Sequence, residues 1–412
     1  MSSAAPRALR ARWTLAAVSA GLFGLVTWRS VEPDYALHAR WARELGEKGL
    51  LLVPHPLFHV LTVVVRALVP LRLAELVLPG PGRADAAYVV AALAVGAASY
   101  VALALVLHRR ILEEAPGSST GGEDWASAGW ALALLLVAPI TVFTWRVHQL
   151  YLGYVAPNVF HSPTVALLKP LALAWFWSVA RPGREGGRGW VAAALLALAA
   201  SLAKPSFTVA LVPALALWLA LARWLPRGIG TRAALASLVV GGVTLVGQAW
   251  ARGAKPSLLL LEPLEVMGYY SARWQMPLLL LLSIAFPLCV ALARWPALRR
   301  HGPLMLAWLV FGIAAAYGYL LAEDEPNTGD GNWLWSGQVA LFVLFAESVL
   351  FLRSGGRGRA SPTRRWRLTC AVVFALHVAC GLAWYGAEVL QPHAWWFPFP
   401  ESAEPPGSGL SP

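Results

Sequence analysis

The sequence predicts an all-α polytopic membrane protein of about eleven transmembrane helices, with two interfacial helices in its first outer loop. Three observations lead there. Apolar runs of spanning length recur along the whole 412-residue chain, 58% of residues are hydrophobic and only 13% are charged, and the basic residues gather in alternate connecting segments. Soluble domains carry about 25% charged residues, so this chain has about half the charge needed to coat a water-facing globule. With a mean hydropathy of +0.59, that excludes a soluble enzyme, a fibrous protein and a disordered chain.

The first run extends from Trp13 to Val31, behind Arg7, Arg10 and Arg12. Val18-Ser19-Ala20 resembles a signal-peptide cleavage site, but the run is too long for an h-region ending there, and we read an uncleaved span. Further runs occur at roughly 86–107, 127–145, 163–180, 190–222, 233–250, 277–293, 303–322, 337–352 and 368–386. As one helix, 190–222 would measure about 50 Å against a hydrocarbon core of about 30 Å. Lys204-Pro205 near its middle breaks the hydrogen-bond ladder, so it is read as a hairpin of two short helices. Neither an internal repeat nor an appended soluble domain is visible.

The stretch 55–78 decides the topology. If it spanned, Arg66 would sit near the bilayer centre at a cost of about 2.5–3.5 kcal/mol. His59, Thr62 and Arg66 instead form one polar stripe on an apolar helix that Pro70 interrupts, which suits a helix lying in the interface. The charges agree. With 55–78 not spanning, the N-terminus and segments 108–126, 181–189, 223–232, 294–302 and 353–367 are cytoplasmic and hold 20 Lys/Arg against 5 Asp/Glu. Were it to span, 17 of those basic residues would face outward, against the positive-inside rule. The N-terminus is therefore expected inside and the C-terminus outside. Residues 1–386 form one transmembrane domain with an outer loop at 32–85, and 387–412 form a Pro-rich outer tail in which Trp395, Trp396, Phe397 and Phe399 would anchor at the interface. The net charge of +12 is explained by this bias; no basic stripe interleaved with aromatics points to nucleic acid. Cys289, Cys370 and Cys380 lie in apolar segments and read as packing residues, without a disulfide framework or metal site. Basic residues are 29 Arg to 4 Lys, with abundant Ala, Gly and Pro, which hints at a GC-rich bacterium and hence an inner membrane.

This orientation collects the unusual polar residues outside. Glu32-Pro33-Asp34 follows the first span directly. A short amphipathic helix then begins, with Leu37, Trp41 and Leu45 at i, i+4, i+8, and a second follows Pro54-His55-Pro56-Leu57-Phe58-His59. His55 and His59, four apart, share a helix face as metal-ligand pairs do, but no third ligand is evident, so contacts to a headgroup or to the loop carboxylates are preferred. Asp34 would alternatively be a helix cap.

An acidic pair of the form Glu-x-Asp at the outer end of span one, two interfacial helices, the His-Pro-aromatic stretch and a span ending in His108-Arg109-Arg110 resembles the GT-C superfamily of integral-membrane glycosyltransferases. The resemblance covers architecture over about two thirds of the chain. Its single motif is the Glu32-Pro33-Asp34 triplet, placed where that family carries its modified Asp-x-Asp. It implies a polyprenyl-phosphate-linked sugar donor, a lipid, glycan or protein acceptor, and transfer with inversion on the outer face. Asp34 matches the family's acidic position best, with Glu32 as second carboxylate. The two would share the roles of general base and of positioning the acceptor or a divalent cation such as Mg or Mn. A lipid phosphate is already a good leaving group, so the site must chiefly neutralise its charge.

Lys204, at the hairpin break, must snorkel or pair with an anion, and the family often has a Lys-containing break there. A further outer cluster runs from Tyr151 and Tyr154 through Asn158, His161, Ser162 and Thr164 to Lys169. Ser162, Pro163 and Thr164 read as a helix start, leaving Asn158, His161 and Lys169 as candidate sugar or phosphate contacts. Glu262, Glu265, Tyr269, Tyr270, Arg273 and Trp274 offer carboxylates, rings and a cation that could grip phosphate; interfacial anchoring is the plainer account. The acidic stretch 323–333 lacks the ligand spacing of an EF-hand and reads as a solvated loop. Glu347, six residues before Arg353, is expected to snorkel to the cytoplasm and carries no role. Other classes compatible with this chain are a transporter or flippase for a lipid-linked substrate and a structural subunit.

Overall fold

A computed structural model describes residues 4–29, 34–70, 72, 83–114, 121–141, 153–180, 189–226, 228–251, 259–268, 271–323, 332–354 and 363–390. Glu32, Tyr269, Tyr270, most of the 323–333 stretch and the tail beyond Leu390 lie outside these residues.

Among the described residues the chain forms α1 (Ala4–Arg29), α2 (Ala36–Lys48), α3 (Leu57–Arg66), α4 (Arg83–Glu114), α5 (Gly121–Leu136), α6 (Pro163–Ala180), α7 (Gly189–Ala203), α8 (Thr208–Ala220), α9 (Thr231–Ala251), β1 (Leu259–Leu261), α10 (Glu265–Gly268), α11 (Met276–Ala293), α12 (Trp295–Leu298), α13 (Gly302–Leu320), β2 (Leu321–Glu323), α14 (Leu334–Arg353) and α15 (Arg364–Leu390). The two strands pair antiparallel, Leu259 facing Glu323 and Leu261 facing Leu321. Among the described residues, seven helical segments are long and apolar enough to cross a membrane: α4, α6, α9, Arg273–Ala293, α13, α14 and α15. The other four expected spans differ in kind. With 15 and 13 residues, α7 and α8 measure about 22 and 20 Å, and α1 and α5 open on charged residues, Arg7 and Arg10 in one and Glu123 and Asp124 in the other.

At the centre lie α14 and α6, apolar on every side and buried along most of their length, while α9 and α15 are mostly uncovered. A helix apolar all round belongs in such a centre or against lipid. The expected span 127–145 is helical only to Leu136. Pro139 disfavours helical geometry at Ala138, and the extended chain there ties to its neighbours through Ala138 N–H to His377 O (3.1 Å) and Ile140 N–H to Leu282 O (3.2 Å). Gly381 of α15 makes this possible, since a methyl group there would overlap the Leu136 carbonyl.

The 55–78 stretch contains α3, ten residues long and so about 15 Å, half the hydrocarbon core. Its stripe is oriented inward: His59 and Thr62 are buried with Phe58, and Val60 and Val64 are exposed. On α2 the buried residues are His38, Ala39 and Ala42, and the Leu37-Trp41-Leu45 row is half-buried. Small residues let α2 approach its neighbours closely, and Trp41 packs edge-on to His38 with ring centroids 4.9 Å apart. Two tyrosine–glycine contacts seat α2 on α4. A Cβ at Gly96 would meet Tyr35 Oη at 2.6 Å, and one at Gly46 would meet Tyr88 Oη at 2.6 Å. Arg43 adds ion pairs to Asp85 (2.5 Å) and Glu47 (3.0 Å).

Glu347 does not snorkel. It is fully buried and accepts a hydrogen bond from Trp177 Nε1, because α14 runs through the centre of the helices.

Candidate functional site

Asp34 opens the turn that leads into α2, directly before the buried Tyr35. The tyrosine under Gly96 fixes the backbone at that point, so the carboxylate is held by the fold rather than by a flexible loop. Burial pushes its proton affinity above the ordinary carboxylate range, and the charge of Lys204 opposes this. The same pair appears from the other side. Burial lowers Lys204 to about 8, and Asp34 holds it up.

Lys204 lies in the turn between α7 and α8, in neither helix. Ser201 Oγ and Thr208 Oγ1, 2.8 Å apart, close the turn, and Ser201 Oγ also donates to Ala197 O at 2.7 Å. The ammonium sits over the ring of Trp335, 4.0 Å from its centroid, within the range of a cation–π contact. Trp335 also faces His161, at 5.5 Å between ring centroids. Lys204 keeps part of its surface open.

The histidines complete the group. His38 Nδ1 and His59 Nε2 are 2.9 Å apart, and the rings stack with centroids 5.1 Å apart. Burial and the charges of His59, Lys204 and His55, in that order, depress His38 well below the usual imidazole range. Burial takes His59 down to about 4. Both are therefore neutral at pH 7. One amide ties the pieces together: Gln248 Nε2 on α9 donates to Pro54 O and to Ser201 O, both at 2.9 Å. The residue before His55 is thereby stapled to the turn that carries Lys204.

Asp34, His55, His59, His161 and Lys204, candidates from the sequence, are linked through these contacts. The others lie elsewhere. Lys169 Nζ donates to Asn158 Oδ1 at 2.8 Å, and Asn158 Nδ2 donates to Leu134 O (3.0 Å) and Val137 O (2.9 Å), all buried. Arg273 and Glu265 pair with each other at 2.8 Å on an exposed surface. Among the described residues no group of three His, Cys, Asp or Glu side chains is arranged to hold a metal ion.

Three members carried no assignment from sequence: His38, Trp335 and Gln248. His38 stands one helical turn after Asp34, the spacing that puts two side chains on one face, and Gln248 is an amide in an otherwise apolar run. Trp335 gives no signal apart from neighbouring a loop. No family model, curated protein or solved structure matches this chain.

Proposed function

We propose that the chain is a GT-C-type membrane glycosyltransferase, moving a sugar from a polyprenyl-phosphate donor to a lipid, glycan or protein acceptor on the outer face of a bacterial inner membrane. The arrangement that carries this reading is Asp34 and Lys204, one carboxylate and one ammonium near enough for each charge to act on the other, both packed round yet partly open. Asp34 accepts the proton of the acceptor hydroxyl while that oxygen attacks the anomeric carbon from the face opposite the donor phosphate. The bond from the anomeric carbon to the phosphate oxygen breaks with its electron pair, inverting the centre. Lys204 then balances the phosphate charge. A carboxylate with raised proton affinity is the stronger base, provided it remains ionised at working pH. Were a divalent cation to take part, Asp34 and Glu32 would be the residues to hold it, and the ion would help balance the phosphate charge.

In this reading the membrane is crossed eleven times, with α2 and α3 lying along the outer interface. Exposed tryptophans support the arrangement, since such rings favour the membrane–water boundary. Trp13, Trp125, Trp190, Trp224, Trp295 and Trp366 would share the cytoplasmic rim and Trp28, Trp250 and Trp274 the outer one, and all nine are exposed. The α3 length and the outward Val60 and Val64 suit a helix resting on lipid.

A transporter is the second reading, favoured by Lys169 and Glu347 buried inside helices. Labelled polyprenyl-phosphate sugars supplied to proteoliposomes separate the two. The transferase forms a new glycosidic bond, which Asp34→Asn abolishes. Full activity in that variant removes the base assignment, and translocation without bond formation favours transport. Reporter fusions that find residues 181–189 outside the cell would overturn the orientation.

A further inference from the structure

Two side chains of α5 take no part in the reaction drawn above, and neither is satisfied. Asp124 is 4% exposed and Ser127 is completely buried. Asp124 Oδ1 and Ser127 Oγ are both buried atoms without a hydrogen-bond partner among the described residues. The ion pairs of this region go elsewhere, Arg353 to Glu123 at 2.9 Å and Arg110 to Glu113 and Glu114 at 2.8 and 3.1 Å. Buried polar groups are ordinarily hydrogen-bonded, and a buried carboxylate is unfavourable without donors and a positive charge. An acid in the first turn of a helix complements the free N–H groups there. That explains an acid at this place but not its burial, because Glu123 in the same turn does the same while half-buried and paired.

Both groups face one side. The buried stripe of α5 runs from Asp124 through Ser127, Ala128 and Ala131 to Leu134 and Leu135, a spacing of i, i+3, i+4 and i+7, and it packs chiefly against α1 and α4. Asp124 and Ser127 stand one turn apart on it, with Cβ atoms about 5–6 Å from each other, a gap that one small group bridges. His108 of α4 holds this turn in place. Its Nε2 lies 3.2 Å from the main-chain oxygen of Asp124, and since a carbonyl only accepts, that hydrogen goes to the peptide and not to the carboxylate.

The two oxygens therefore call for a partner that donates and is positively charged. Water would satisfy the hydrogen bonds but not the charge, and an oxygen-bound metal ion takes more ligands than one carboxylate and one hydroxyl supply. A primary ammonium, with three N–H donors and no acceptor, meets both needs. Gly122, Trp125 and Ala126 beside the pair are exposed, so it lies just inside the surface. Trp125 belongs to the tryptophans assigned above to the cytoplasmic rim, at the level of the lipid headgroups. We propose that Asp124 and Ser127 bind a primary ammonium group, the carboxylate balancing its charge and the hydroxyl accepting a second hydrogen bond, and that a lipid with an ethanolamine headgroup supplies it. The lipid source rests on the membrane orientation, and neither part rests on sugar transfer.

Native mass spectrometry of the full-length protein in detergent tests this, with phosphatidylethanolamine and with phosphatidylcholine of the same acyl chains. The choline headgroup carries the same charge but no N–H. The wild type should bind the ethanolamine lipid about tenfold more tightly, the size of one charge-assisted hydrogen bond. Asp124→Asn should bind the two lipids equally, and Ser127→Ala should keep a preference of about threefold. Glu123→Gln, which loses only the pair with Arg353, should keep the full preference. Should Asp124→Asn fail to fold, Ser127→Ala set against Glu123→Gln carries the same test. Melting temperatures in free ethanolamine, potassium chloride and choline chloride separate the sources. A rise with ethanolamine that Asp124→Asn abolishes supports the ammonium site; if the wild type then shows no lipid preference, the lipid is overturned as its source. Equal affinity for both lipids without a response to ethanolamine, a preference that survives in both Asp124→Asn and Ser127→Ala, or stabilisation by potassium alone overturns the proposal.

Discussion

Two lysines lie deep among apolar helices, and the fold treats them in opposite ways. Lys169 is completely buried in α6. It donates to Asn158, whose amide hydrogens are held by the Leu134 and Val137 carbonyls, and it lies 4.9 Å from the Phe342 ring centroid. Lys204 stands outside any helix and keeps open surface. Among the described residues its side chain has a ring at 4.0 Å and the charge of Asp34, but no hydrogen bond. A cation locked by a neutral amide whose own hydrogens are spent serves architecture. One left with a ring and a carboxylate charge is available to an incoming anion. Burial alone does not separate a structural cation from a functional one; the completeness of its hydrogen bonding does.

The comparison breaks most sharply at Asp34. Asp34→Asn should lower sugar transfer by at least about a hundredfold, as expected for loss of a general base. The melting temperature in detergent should stay level or rise, because the substitution removes a buried charge. A fall in melting temperature alongside lost activity would move Asp34 into the structural class with Lys169.

Lys169→Ala should do the reverse. It leaves Asn158 Oδ1 buried and unpaired and opens a cavity, at a cost of about 3 kcal/mol in stability, read as a lower melting temperature. A raised KM with unchanged melting would instead place Lys169 in the substrate site. Gln248→Leu is a smaller perturbation, about 1–3 kcal/mol for two carbonyls left without a donor. It should raise KM as well as lower stability, because Gln248 joins the His55 loop to the Lys204 turn. Lowered stability with unchanged KM would show that the staple does not set the site.

These contrasts also show how far the sequence could be read. The long helices were legible because apolar runs of spanning length have few alternatives in a membrane, and the break in the apolar run after α3 was legible from Arg66 and Pro70. Asp34, Lys204 and His161 stood out singly, since polar groups in apolar surroundings call for a reason. Their convergence was not legible: the Gln248 link to Pro54 spans 194 residues, and no local pattern encodes it. The inward face of α2 was not legible either. An apolar row marks α2 as amphipathic without saying what packs inward, and there Ala39 and Ala42, with His38, take the inner side. Asn158 and Lys169 were recognised as unusual; that they answer each other follows only from the way α6 folds back on the 153–162 segment.

The pH dependence of stability tests Lys204 directly. Its folded-state value of about 8 lies below the ordinary 10.5, so between these values the unfolded chain binds more protons than the folded one, and stability rises as pH increases from about 8 to 10.5. Asp34 has the opposite sign. Its value is raised above 3.8, so its contribution grows as pH falls through the folded-state value. A bound phosphate would favour the charged ammonium and flatten the alkaline slope, which the locked Lys169 could not do. Melting curves of the wild type and Lys204→Met between pH 7.5 and 10, with and without a polyprenyl phosphate, measure this. The wild type alone should gain stability with pH, and the lipid should reduce that gain. Parallel curves for the two proteins would mean that Lys204 is as well solvated when folded as when unfolded, and its reading as a buried ammonium balanced by Asp34 would fall.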